Sequence, residues 1–358
     1  MLAFLAVLAV VFFLMVAGLS RVYQAQRQAL GNRWFRRGVA DLSAKRFDAA
    51  VTEFRSALLY SRGHYDYQLN LAEALIGLHK TGEASAYLLN LWDREPENGL
   101  VNLELARIAA QQGENDKAVR YYHNAVYAAW PTDEQSKRRD ARLELVELLL
   151  RTHQQAEAQA ELIALQENIG DDPVVQERIG GLFLRAGDNE HALQTYHAAL
   201  RSDRRNPIAL AGAGEAAFEL GRYSVAQRYL QEAADANNTQ IANRLKMTEM
   251  VLQMDPFRRQ ISVAERNRAV AQAFAIAGQR LKMCSISAPP GSGPSLSERW
   301  ESMNPEVREA GLRRNPDLAE SAMELVFSIE RQTSDACGTP TGPDLALLLI
   351  AKLHEGSS

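Results

Sequence analysis

The chain has 358 residues, a hydrophobic fraction of 46% and a formal net charge of −4. This is enough apolar material for a continuous core and too little positive charge for a nucleic-acid footprint. Its two cysteines and seven scattered histidines make no recognisable zinc set, which needs about four ligands.

Residues 2–19 come first, a run of eighteen without a charge. As a helix the run covers about 27 Å, close to the hydrocarbon thickness of a bilayer. It reads as a transmembrane anchor, so the lipid bilayer is the first expected partner. A cleaved signal peptide is the alternative, with Ala17 and Gly18 as its small residues. Against that, the run exceeds the usual apolar region of such a peptide, and no Lys or Arg precedes it. Residues 20–30 form a basic juxtamembrane segment. Arg21, Arg27, Arg33, Arg36 and Arg37 all follow the apolar run, with no acid before Asp41. The positive-inside rule then keeps the rest of the chain in the cytoplasm, on the inner face of a plasma membrane. A periplasmic placement is the alternative.

From Gly31 a pattern recurs every 34 residues, six times, with one slip. An alanine returns at Ala50, Ala84, Ala118, Ala158, Ala192 and Ala226. Four residues after each stands Phe54, Leu88, Tyr122, Leu162, Tyr196 or Leu230, and seven after it Ala57, Leu91, Ala125, Leu165, Ala199 or Ala233. A period of this length predicts a solenoid of helix pairs. Weaker small-residue positions accompany it: Gly38 after Trp34, then Ala72, Ala106, Val146, Gly180 and Gly214.

These residues resemble the tetratricopeptide repeat, and Pro96 stands where that repeat closes. The resemblance implies an all-α fold, antiparallel helix pairs stacked into a right-handed α-solenoid with a concave face. The units are 31–64, 65–98, 99–138, 139–172, 173–206 and 207–240. The third is six residues too long, and its polar excess over 130–138, opened by Pro131, reads as a longer connection. Asp172-Pro173 and Asn206-Pro207 place a capping side chain before a first-turn proline. Gly113, Gly187 and Gly221 suit helix C-termini.

Beyond residue 240 the match fades. Residues 241–283 read as capping helices, the second with Val263, Val270, Phe274, Ala277 and Leu281 near helical spacing. Residues 284–297 are a Pro/Gly/Ser linker, and 298–358 a small helical tail. Ser295 and Glu298 have capping-box spacing. Asn304-Pro305 and Asn315-Pro316 each predict a helix start, and Gly342-Pro343 opens a last helix too short to cross a bilayer. Cys284 and Cys337 are either a disulfide clamping the tail, which needs an oxidising compartment, or two unrelated buried thiols.

No catalytic constellation is legible. Gly291-Ser292-Gly293 lies in the linker without a flanking strand, so it is no nucleotide loop. His191 and His197, six residues apart, do not share a helix face. No enzyme activity, cofactor, metal or small-molecule substrate is expected. The resemblance places a partner groove on the first helix of each pair, at Arg36, Asn70, Glu73, Glu104, Arg107, Glu144, Glu147, Arg151, Arg178 and Arg185. This mixture of charges suits an extended peptide. Some relatives clamp a terminal carboxylate, and Asn70 matches one position of that clamp. Phe35, Val39, Leu100 and Glu104 replace the others, so no clamp is expected. The layout is similar to that of membrane-anchored tetratricopeptide proteins of lipopolysaccharide assembly, without their rubredoxin-like module and its paired Cys-x-x-Cys motifs. The expected function is a membrane-tethered scaffold that docks a protein. The alternative is an extracytoplasmic assembly factor for a secretion, pilus or outer-membrane complex, with a Cys284–Cys337 disulfide.

Overall fold

The 34-residue period folds as consecutive helices joined by tight turns. The computed structural model describes residues 2–128, 130, 135–166, 170, 172–234, 238–284 and 294–355, with backbone alone for 2–11 and 135. The chain divides into two compact units, Met1–Leu165 and Gln166–Ser358. The first holds α1 (Leu2–Ser43), α2 (Phe47–Tyr60), α3 (Tyr65–Gly77), α4 (Thr81–Arg94), α5 (Gly99–Gln111), α6 (Asn115–Tyr127), α7 (Gln135–Arg151) and α8 (Gln155–Gln166). The second holds α9 (Pro173–Arg185), α10 (Asn189–Ser202), α11 (Pro207–Glu219), α12 (Tyr223–Ala233), α13 (Thr239–Met254), α14 (Val263–Met283), α15 (Leu296–Met303), α16 (Glu309–Arg314), α17 (Asp317–Cys337) and α18 (Gly342–Leu353). No strand occurs among the described residues.

One packing rule builds five of the six repeats, and the fourth sets Val146 against Leu162. A small residue on the first helix faces a bulky one sixteen positions later on the second. A Cβ added at Gly38 would lie 2.5 Å from the Phe54 ring, at Gly180 2.9 Å from Tyr196, and at Gly214 2.7 Å from Leu230. Ala72 with Leu88 and Ala106 with Tyr122 keep the same offset, and all four are buried. Close approach of the two backbones lets a single large side chain fill each interface at interior density.

The turn inside each pair also repeats. Gly113, Gly187 and Gly221 have φ of 75°, 76° and 70°, as their helix-terminal role requires. Lys45, His79 and His153 take the same left-handed conformation, with φ of 57°, 58° and 59°. Both proline-led starts expected within the repeats form. Asp172 accepts from Val174 N, Asn206 accepts from Ile208 N and Ala209 N, and each proline lies in the first turn.

The long third unit is resolved partly as helix. Helix α7 starts at Gln135, before the expected unit boundary at 139, and takes up much of the excess. Trp130 is buried against Gly99, its indole donating to Ala125 O at 2.7 Å. The Pro131 end of the expected connection, 131–134, lies outside the described residues.

The expected capping helices are themselves covered. Helix α17 packs on α14, and α18 packs on both α13 and α17. The reason is visible on α14, where Val270, Phe274, Ala277 and Leu281 are all buried and need apolar neighbours. The Ser262 and Ser295 capping boxes both form. The helix start expected at Asn304-Pro305 does not. Asn304 closes α15, the chain turns with Val307 N bonded to Met303 O, and α16 begins only at Glu309. Buried Val307 anchors that turn, and this outweighs the local cap signal. Most of the expected linker, 285–293, lies outside the described residues.

Among the described residues, no helix is long and apolar enough to cross a membrane. The anchor read over 2–19 is therefore not shown. Its stretch 2–11 falls outside the residues whose side chains are described.

Candidate partner-binding surface

The first unit gathers four of the groove residues into one network. Arg107 on α5 reaches Glu104 on its own helix and Glu144 on α7, each at 2.6 Å. A second bond from Arg107 Nε to Glu144, at 2.9 Å, makes the α5–α7 link bidentate, and the Tyr122 hydroxyl also donates to Glu144 at 3.0 Å. Burial pushes the Glu104 carboxyl up, and Arg107 opposes that shift. Burial likewise raises Glu73, with Lys137 and Arg107 pulling it back. Burial, followed by the Glu144 charge, raises the Tyr122 phenol. A fixed guanidinium shared among these acids makes the surface polar, preorganised and net acidic.

Beside this network lies a cavity of about 470 Å³ lined by Val39, Leu42, Ser43, Lys45, Phe47, Asn70 and Glu73. Asn70 spends its amide on Asp66 O within α3, at 2.8 Å. Arg36 is exposed and donates to Asn32 O at 3.4 Å. Glu147 is half-buried and engaged with neighbours, and Arg151 is exposed at the end of α7.

In the second unit, Arg178 and Arg185 are exposed on α9, two turns apart. An opening of about 510 Å³ lies elsewhere in this unit, between α11 and α13. Ile208, Gly212 and Glu215 line one side, Ile241 and Arg244 the other, with Tyr196 below. Arg244 pairs with Glu215 and lies over the Phe218 ring at 4.2 Å. Burial raises the Tyr196 phenol to about 12, so it stays protonated. Sequence reasoning missed Ile208, Glu215 and Arg244. Val174 and Ile208 stand one period apart and are both exposed, at 69% and 61%, which is the signal that marks this face. Cys284 and Cys337 are bonded, with Cα atoms 6.2 Å apart. The described residues contain no metal-binding group of three or more His, Cys, Asp or Glu.

The fold and these surfaces define a helical-repeat protein suited to protein–protein contact through its exposed helix faces. A family model described as tetratricopeptide repeat matches residues 69–134 and 178–241, and these stretches are tetratricopeptide repeats. No curated protein matches the chain. Among solved structures, the chain is similar to the C-terminal part of a TPR repeat-containing protein from Cytophaga hutchinsonii, at 12% identity and a TM-score of 0.46, covering 86% of this chain and 100% of that one. It is similar to YrrB, titled a TPR protein with an unusual peptide-binding site, at 17% identity and a TM-score of 0.44, covering 53% and 95%. PilF of Pseudomonas aeruginosa follows at 15% identity and a TM-score of 0.43, covering 58% and 91%.

Proposed function

We propose that this protein is a membrane-tethered tetratricopeptide scaffold that docks a protein partner on the exposed helix faces of its repeats. The observation that carries the tether is α1. This helix runs unbroken into the first repeat, and Phe12, Phe13, Leu14, Met15, Val16 and Leu19 are all exposed along it. A helix apolar on every side and uncovered by protein calls for another apolar medium, and residues 2–19 are long enough to take a bilayer. Two faces offer themselves to the partner, the Glu104–Arg107–Glu144 network and the Ile208–Arg244 opening.

The bonded Cys284–Cys337 pair favours the extracytoplasmic reading, an assembly role in an envelope complex. Thiols in the cytoplasm are kept reduced. The arginines after the apolar run argue the other way. A covalent bond needs an oxidant, whereas charge bias only tilts insertion, and this supports reading the repeats as extracytoplasmic. Alkaline phosphatase fused after residue 358 is expected to be active, and an active cytoplasm-dependent reporter at the same point overturns this placement. Cross-linked pull-down of the full chain from detergent extracts tests the scaffold. The partner is expected to be lost in Ile208→Glu or Arg107→Glu. A partner retained by both, or none captured at all, refutes docking through these faces.

A further inference from the structure

Glu330 is fully buried in the middle of α17. Neither of its carboxyl oxygens receives an N–H or hydroxyl proton, and the same is true of Oδ1 of Asp344 at the start of α18. Helices α17 and α18 pack on one another, and across that contact the two carboxyl groups act directly on each other's protonation. Arg280 of α14 is the cation at this site, but its Nε lies 3.6 Å from Glu330. Its hydrogen bonds go instead to the Thr333 hydroxyl at 2.8 Å and Gly338 O at 2.9 Å. Thr333 in turn donates to Ile329 O. One guanidinium therefore faces two carboxylates, Glu330 fully buried and Asp344 half-buried with its Oδ1 shielded, and two like charges so placed do not both stay ionised.

We infer that Glu330 and Asp344 share one proton, and that this carboxylic acid–carboxylate bond latches the last helix onto α17 until alkaline solution removes it. The proton resides on Glu330, because Asp344 stands in the first turn of α18, where the helix dipole favours the charged form. With one proton the cluster is neutral, and without it one negative charge is buried unpaired. Burial, reinforced by Asp344, raises Glu330 to about 8. The folded state thus holds a proton that the unfolded chain has already released. This contribution is complete below the ordinary carboxylate range, declines as pH rises toward 8, and is gone above it. Among the other charges on the packed helices, Asp255 pairs with His354, Arg331 with Glu355, and Arg266 with Glu320. The neighbouring Cys284–Cys337 bond does not titrate.

Two measurements on the full chain test the latch. Infrared difference spectra at neutral pH are expected to show a carboxylic-acid C=O stretch that Glu330→Gln abolishes. Hydrogen exchange of α18, corrected for intrinsic rate, is expected to speed up roughly tenfold between about pH 6 and pH 9.5 in the wild type, and to stay level in Glu330→Gln, which keeps the uncharged shape. A neutral-pH spectrum without that band overturns the shared proton. Equal pH dependence of α18 exchange in both proteins overturns the latch.

Discussion

The indole of Trp300 lies directly on Gly278, so close that a Cβ at that glycine would fall 2.2 Å from the ring. The same indole donates from Nε1 to Phe274 O at 3.0 Å, and its ring stacks on Phe274 at 5.6 Å. The short helix α15 is held to α14 through this one side chain. Gly278→Ala must push the indole out and break that bond. A loss of about 1–3 kcal/mol is expected from overpacking, and about 3–5 kcal/mol from Trp300→Ala. Thermal unfolding followed by tryptophan fluorescence measures both, and an unchanged midpoint in Gly278→Ala contradicts the contact.

Lys45, His79 and His153 occupy the turn conformation that Gly113, Gly187 and Gly221 fill without strain. All three are exposed, so their side chains are not needed for packing. Each change to glycine is expected to stabilise the chain by about 0.5–1 kcal/mol, while Gly113→Ala destabilises it by a similar amount. Denaturant midpoints of the single variants and of the triple variant decide the matter.

Arg107 joins α5 to α7 through Glu144 and also neutralises Glu104, whose side chain is only 11% exposed. Removing it in Arg107→Met leaves both acids without their cation. Arg107 itself is 37% exposed, so solvent screens part of the loss, and about 1–2 kcal/mol is expected. The variant should recover stability in mild acid. Glu104 is already raised by burial, and without Arg107 it protonates more readily, relieving the unpaired charge as pH falls. Unfolding at two pH values checks the sign, and a deficit that grows in acid would refute it.

Cys284 and Cys337 close a loop with a sequence separation of 53. Reduction is expected to cost about 2–4 kcal/mol, chiefly by freeing the unfolded chain. Hydrogen exchange should place the loss in the 166–358 unit. A reduced protein as stable as the oxidised one would remove the clamp from any account of the tail.

The repeats were legible because five of the six units reuse one local contact, small against bulky at a separation of sixteen, as in Gly38–Phe54 and Gly214–Leu230. The turn glycines and the proline-led caps at Asp172 and Asn206 were legible for the same reason, since each acts within a few residues of itself, whereas the same signal at Asn304 misled. The candidate groove was only partly so. Its positions follow from the repeat, but the bidentate union of Arg107 with Glu144 depends on how far α5 stands from α7.

Chain order and periodicity alone determined an all-helical repeat protein with an apolar leading segment and a tail of helices. Tertiary structure alone decided what that tail does. Trp300 meets Gly278, Arg280 reaches Thr333 and Glu330 faces Asp344 across helices that share no period. Contacts made once, between segments far apart in the chain, leave no recurring pattern. They exist only when the apolar faces of α14, α17 and α18 close on one another and exclude water from the polar groups between them.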